Sequence, residues 1–154
     1  MTHPRIPELD APPLVRYGWP DLVYGDSPAA GAMYTHTITG RFLQRPISVF
    51  VRLVTDANVA SRTVAIEFRD DGGNRFNLCG APVTQSASST NDWVFSVWQE
   101  QAEWSVDSSI IVPLASVLLV PTYDFRIYVS NIQVGDQLSR IRIQRERFFS
   151  DSPK

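Results

Sequence analysis

From Tyr34 onward apolar and polar side chains alternate with a period of two, and no long segment sustains the 3.6-residue period of a helix. Successive side chains of a strand point to opposite faces, so this alternation marks segments half-buried on a sheet. Tyr34–Thr39 is a threonine-rich strand; Ile47, Val49, Val51 and Leu53 alternate with Ser48, Phe50, Arg52 and Val54; Val64, Ile66 and Phe68 alternate with Thr63, Ala65, Glu67 and Arg69. Asp70-Asp71-Gly72-Gly73-Asn74 then offers the positive φ of a tight turn before Arg75–Cys79 resumes, which predicts a hairpin. Beyond the polar loop Val83–Asn91, Trp93, Phe95 and Val97 alternate with Val94, Ser96 and Trp98. Asp124–Ile132 and Gln137–Arg147 make two more strands around a turn at Val134-Gly135-Asp136. The helical candidate, Gln99–Ser105, is too short to shape the architecture. Seven or eight short strands without intervening helices do not thread as βαβ units, so the predicted fold is all-β: an antiparallel β-sandwich, jelly-roll-like. At 154 residues the chain is one domain with enough interior to dispense with disulfide or metal staples.

Residues 1–33 read differently and are expected to form an extended N-terminal arm, with the sandwich over 34–149 and a short tail over 150–154. Six of the eleven prolines fall there, removing backbone donors and fixing φ, so polyproline-like segments and turns are expected. Ile6, Leu9, Leu14, Val15, Tyr17, Trp19, Leu22, Val23 and Tyr24 stud the same stretch. A solvated tail rarely carries so many large apolar groups, so they are predicted to lie against other protein. Fully extended, these residues reach on the order of 100 Å, far enough to leave their own domain.

The formal net charge of −2 argues against a nucleic-acid partner, because domains that grip a phosphate backbone carry a clear basic excess. Ile110–Val120 is broken by Pro113 and Ser116 and is shorter than the roughly 20 residues a membrane-spanning helix needs. The opening MTHPRIPELD has neither a charged n-region nor an apolar h-region, so a protein made and kept in a cytosol is expected. The cations are thirteen Arg against the single Lys154; Arg holds carboxylates through two parallel hydrogen bonds and suits contact surfaces, although genomic base composition produces the same bias.

Catalytic chemistry finds little material. His3 lies in the arm, and His36 on its threonine-rich strand reads as a polar surface residue. Cys79 sits in strand core as a structural thiol, and with two His no zinc spacing forms. Glu67 points outward from its strand, and Glu100 and Glu103 lie in the short helical or loop segment, so all three read as solvated surface rather than a glycosidase pair. Asp70, Asp71 and Asn74 are accounted for by turn chemistry without calcium. A non-enzymatic protein without cofactor or metal is expected. Trp93, Trp98 and Trp104 fall within twelve residues, and sugar-binding modules stack pyranose rings on such aromatics. Trp93 and Trp98 have opposite strand parity, which leaves Trp98 and Trp104 as the platform for an alternative glycan-binding role.

The clearest interaction feature is the C-terminal strand. Ile141 and Ile143 face the core while Arg140 and Arg142 project from the other side, and with Arg145 and Arg147 they outnumber Glu146 four to one as a basic ridge. Two readings stand: a charged edge strand that guards against uncontrolled sheet pairing, or docking to carboxylates of a neighbouring subunit.

The Asp-Gly-Gly hairpin, the loop ending in Thr90-Asn91-Asp92-Trp93, the Val112-Pro113-Leu114 and Leu119-Val120-Pro121 block and the closing run from Phe125 to Phe148 together resemble small virion proteins of tailed bacteriophages. The likeness covers roughly residues 47–149 and excludes the arm. It implies a non-enzymatic β-sandwich on the capsid surface, a decoration or cement protein that binds the major capsid protein where subunits meet, often as a trimer. The partner contacts would then be Ile6, Leu9, Leu14, Tyr17, Trp19, Leu22 and Tyr24 of the arm and Arg140, Arg142, Arg145 and Arg147 of the ridge. A carbohydrate- or receptor-binding module of a phage tail or adhesin is the alternative.

Overall fold

The Asp70–Asn74 turn joins β4 (Val64–Arg69) to β5 (Arg75–Gly80), and further antiparallel pairings nest around it. Asp70 fixes the turn: its carboxylate accepts the Asn74 N–H at 2.8 Å, and Gly73 takes the left-handed φ of 79°. In a computed structural model, which describes residues 18–99 and 109–149, β3 (Phe42–Val54) pairs with β6 (Thr90–Ser96), β2 (Tyr34–Thr37) with β8 (Asp124–Val129), and β1 (Trp19–Gly25) with β9 (Gln137–Phe149). One long antiparallel ribbon is thus folded over itself, and pairings of β3 with β9 and β4 with β8 divide it into two sheets. With β7 (Ser109–Pro113) the sheets run β1-β9-β3-β6-β7 and β2-β8-β4-β5, the strand order of a jelly roll. Val49, Val51, Leu53, Trp93, Phe95, Ile141 and Ile143 from the first sheet meet Val64, Ile66, Phe68, Phe125, Ile127 and Val129 from the second, all buried. The two-residue alternation read from the sequence is what places them there.

Three expectations need correction. Residues 19–25 are not arm: β1 pairs with β9 over its whole length as an edge strand of the five-stranded sheet. Pro20 is compatible with that position because an edge strand leaves one side of its backbone unpaired. The sandwich is not wholly antiparallel, since β7 runs parallel to β6 from Asp92↔Ser109 to Ser96↔Pro113. Its core, Ile110-Ile111-Val112, is a continuous apolar run of the kind parallel strands carry. Finally, β9 is no edge strand; it lies between β1 and β3, so its arginines do not guard an open edge.

One end of the sandwich is locked by a buried ion cluster. Arg62 donates to both oxygens of Asp136 at 2.9 Å, to Asp56 at 2.7 Å and to the carbonyls of Asn58 and Ala60, tying the β3–β4 and β8–β9 connections together. Burial alone would raise the Asp136 carboxyl, but the Arg62 fork and the N–H groups of Gln133 and Asp56 outweigh it and hold the group below its ordinary value. Beside it Gln85 accepts the Trp93 indole N–H at 2.9 Å and donates to the Leu53 carbonyl. A buried charge with its hydrogen bonds filled is tolerated, and stripped of its partner is not.

Candidate interaction surface

The two outer faces of the sandwich are built differently. On the five-stranded sheet the register aligns Tyr24, Arg142, Phe50, Val94 and Ile111 in one row across all five strands. Leu22, Gln144, Ser48, Ser96 and Pro113 form the next row. Tyr24 is 69% and Leu22 49% exposed, while the Arg142 guanidinium lies over the Phe50 ring at 5.5 Å. Ion pairs border this apolar band: Arg52 holds Asp92 with two hydrogen bonds of 2.7 and 2.8 Å on one side, and Arg45 holds Glu146 on the other. The Arg52 fork, with Arg140 and Arg142 nearby, keeps the Asp92 carboxyl below its ordinary value. An apolar centre with a polar rim is the anatomy of a protein contact surface.

Arg140 reaches this face through a backbone device. Leu138 and Ile141 are both buried although three residues apart, which strict alternation forbids; a register shift opposite Phe50/Arg52 inserts one extra residue and restores the parity. Arg140 occupies that bulge at φ 51°, a left-handed conformation uncommon for a side chain of its size, and is exposed.

The four-stranded sheet turns a self-satisfied face outward. Arg126 donates to Glu67 at 2.7 Å, Arg75 approaches the same carboxylate at 3.4 Å, and Arg69 grips Asp124 with bonds of 2.7 and 3.0 Å. Glu67 points outward as its parity requires, yet it is only 4% exposed, so the expectation of a solvated carboxylate is corrected: the arginines of β8 and β5 cover it.

The basic ridge expected from the C-terminal strand divides. Arg140 and Arg142 face outward, and among the described residues neither has a carboxylate partner. Arg145 and Arg147 share the parity of Ile141 and Ile143 and turn to the other side. Arg145 donates to Asp21 at 2.8 Å, to Gln44 at 2.6 Å and toward His36 Nε2 at 3.2 Å, and Arg147 lies 3.3 Å from Asp21. Arg145 holds the Asp21 carboxyl below its ordinary value. His36 is therefore not a surface residue: it is wedged between Gln44, Arg145 and the Phe125 ring, and burial, assisted by Arg145, lowers its pKa.

Of the other predicted residues, Trp19, Leu22 and Tyr24 are exposed on β1, while Ile6, Leu9, Leu14 and Tyr17 lie outside the described residues. Trp93 is fully buried and Trp98 is 78% exposed in the turn after β6; Trp104, Glu100 and Glu103 lie outside the described residues, as does nearly all of the expected helix. Cys79 lines the core edge of β5 rather than its centre, where burial pushes its thiol up and its sulfur accepts the Ala115 N–H at 3.1 Å. The residues the sequence reading passed over are Phe50, Val94 and Ile111, which each look like ordinary strand apolars until the register sets them side by side. Compared with models of known protein families and with curated proteins, the chain matches none.

Proposed function

We propose that this protein is a non-enzymatic structural component of a phage virion, a capsid decoration or cement protein whose five-stranded sheet seats on the major capsid protein of the assembled shell. The observation that carries the reading is the row Tyr24–Arg142–Phe50–Val94–Ile111 with Arg140 nearby, set against a second outer face whose arginines are already paired with carboxylates. Apolar contacts would supply the attraction and the two arginines the register on an acidic neighbour. Symmetry repeats such a contact many times, so modest affinities sum to avidity, and binding only the assembled lattice stabilises it by mass action. The proposal includes a homo-oligomer, a trimer at shell symmetry axes, and an N-terminal arm that runs onto neighbouring subunits; neither nucleic acid nor membrane is a partner. Purified protein mixed with heads depleted of it should co-sediment with the heads and leave unassembled capsid protein unbound; failure to bind the heads overturns the reading.

A second reading rests on Trp98, which is 78% exposed in a turn, as a stacking platform would be. It makes the chain a carbohydrate- or receptor-binding module. A glycan array with no signal that Trp98→Ala abolishes would remove it.

A further inference from the structure

At the end opposite the Arg62 cluster the two sheets differ in length. β3 and β9 run for 13 residues each, whereas the strands of the facing sheet have four or six. The long strands therefore extend further, and beyond Gln44 and Arg145, among the described residues, the inward-parity rings Trp19, Phe42 and Phe149 pack on one another rather than on the second sheet. Trp19 and Phe149 meet edge to face at 4.9 Å, Phe42 lies 5.2 Å from Phe149, and the Arg147 guanidinium sits 5.2 Å from the Phe42 ring. Trp19 and Phe149 are each 52% exposed. The result is a shelf of three rings carrying a cation.

We propose that this shelf is the seat for the proline-rich residues 4–13 of a second copy of the chain. The proposal deepens the assembly reading by naming the partner of the arm, and it rests on that reading only for the arm's leaving its own domain. The chemistry of the fit lies in the sequence: Pro4-Arg5-Ile6-Pro7 and Pro12-Pro13 favour the extended polyproline conformation, which docks on aromatic-lined surfaces at little entropic cost. Glu8 and Asp10 outnumber Arg5 in this segment and complement Arg147, which lies 3.3 Å from Asp21 but leaves its Nε without a hydrogen bond. Extended, residues 4–17 span about 50 Å, ample for an adjacent subunit.

Direction and sequence favour a second copy over the chain's own arm. The chain enters β1 at the overhanging end, and Gly18 is held against Phe148 and Glu146, where a Cβ would come within 2.7 Å of the Phe148 ring. Folding back onto its own shelf would require a reversal within Leu14-Val15-Arg16-Tyr17, which contains none of the usual turn residues.

The test uses the full chain with a photo-crosslinking residue in place of Leu9, prepared as an equal mixture of isotopically heavy and light protein. Irradiation should join position 9 to the peptides carrying Trp19 or Phe149, with heavy-to-light products as frequent as like-to-like ones. Products confined to like pairs would mean the arm docks on its own shelf, and attachment elsewhere would mean the shelf is not its seat; either result overturns the proposal. In sedimentation velocity, replacing Pro4, Pro7, Pro12 and Pro13 together by Ala should weaken self-association about tenfold, and Trp19→Ala or Phe149→Ala should do likewise with circular dichroism confirming the fold. For the proline variant too, circular dichroism matching the parent shows that it folds, and unchanged association in it also refutes the proposal. Head binding is read separately by co-sedimentation, so loss of the arm contact is distinguishable from loss of the shell contact.

Discussion

The outer faces of the two sheets have similar raw materials and opposite outcomes. On the four-stranded sheet each described arginine pointing outward finds a carboxylate on a neighbouring strand, Arg126 and Arg75 on Glu67 and Arg69 on Asp124. On the five-stranded sheet the ion pairs Arg52–Asp92 and Arg45–Glu146 stand at the margins, and the centre is left to Tyr24, Phe50, Val94 and Ile111 with Arg142 on top. Cross-strand pairing occupies the charges of one face, where Leu78 still stands 46% exposed; its absence from the middle of the other face leaves an apolar row with an unpaired cation that further protein can use. The difference teaches where binding and stability are separable in this fold.

That separation is open to attack by substitution. The largest expected effect falls on the closed face: Glu67→Ala strands Arg126 beside a buried gap and should cost about 2–3 kcal/mol in denaturant unfolding, at or below the low end for a buried pair because Arg75 and Arg126 keep contact with water. Head binding by that variant should be unchanged once it is folded, and a loss of binding would break the comparison. On the open face Arg142→Glu and Phe50→Asp should each weaken co-sedimentation about tenfold or more, equivalent to about 1.4 kcal/mol. Arg142→Glu should alter stability by no more than about 0.5 kcal/mol, since it is an exposed side chain. Smaller still in its effect on binding, Arg140→Gly relieves the left-handed strain but adds backbone freedom, so its stability should stay within about 1 kcal/mol of the parent while binding falls less than for Arg142→Glu. Equal binding by this variant would show that the bulge serves only to keep Leu138 and Ile141 inside.

The smallest effect is a pH dependence at the β1 end, where Gln44 and Arg145 contact His36 and Asp21 in turn pairs with Arg145 and Arg147. Burial, with Arg145, lowers the His36 pKa beneath its ordinary 6.5, and Arg145 lowers that of Asp21 beneath its ordinary 3.8. At both groups the native state binds fewer protons than the unfolded chain, so the stabilisation is complete above those ordinary values and is lost as pH falls through the native ones. His36 responds first, below 6.5. Thermal melts of the parent should therefore decline between about pH 7 and pH 5, and those of His36→Gln should decline less; parallel curves would exclude His36 as the source.

Strands with strict alternation, such as Val64–Phe68 and the Gly72-Gly73 hairpin, were legible in the sequence because burial on one face and turn chemistry both leave local signatures. β1 was hidden by its setting: prolines before and after it masked Leu22, Val23 and Tyr24, although the only proline within the strand is Pro20 at its second position. The split of the basic ridge was also readable, since Arg145 and Arg147 share the parity of Ile143. The Arg62–Asp136 pair was not, because two residues 74 apart meet only when separate connections converge at one end of the sandwich. The apolar row on the open face is hidden for the same reason: Tyr24, Phe50, Val94 and Ile111 belong to four strands and fall into one row, with Arg142 between the first two, through register alone.

The most direct test of the central claim is oxidative footprinting of the protein free in solution and bound to heads. The account predicts that Tyr24, Phe50 and Ile111 lose reactivity on binding while Tyr128, Leu78 and Phe76 on the other sheet keep theirs. Protection of Tyr128 and Leu78 with Tyr24 and Phe50 still reactive would contradict it.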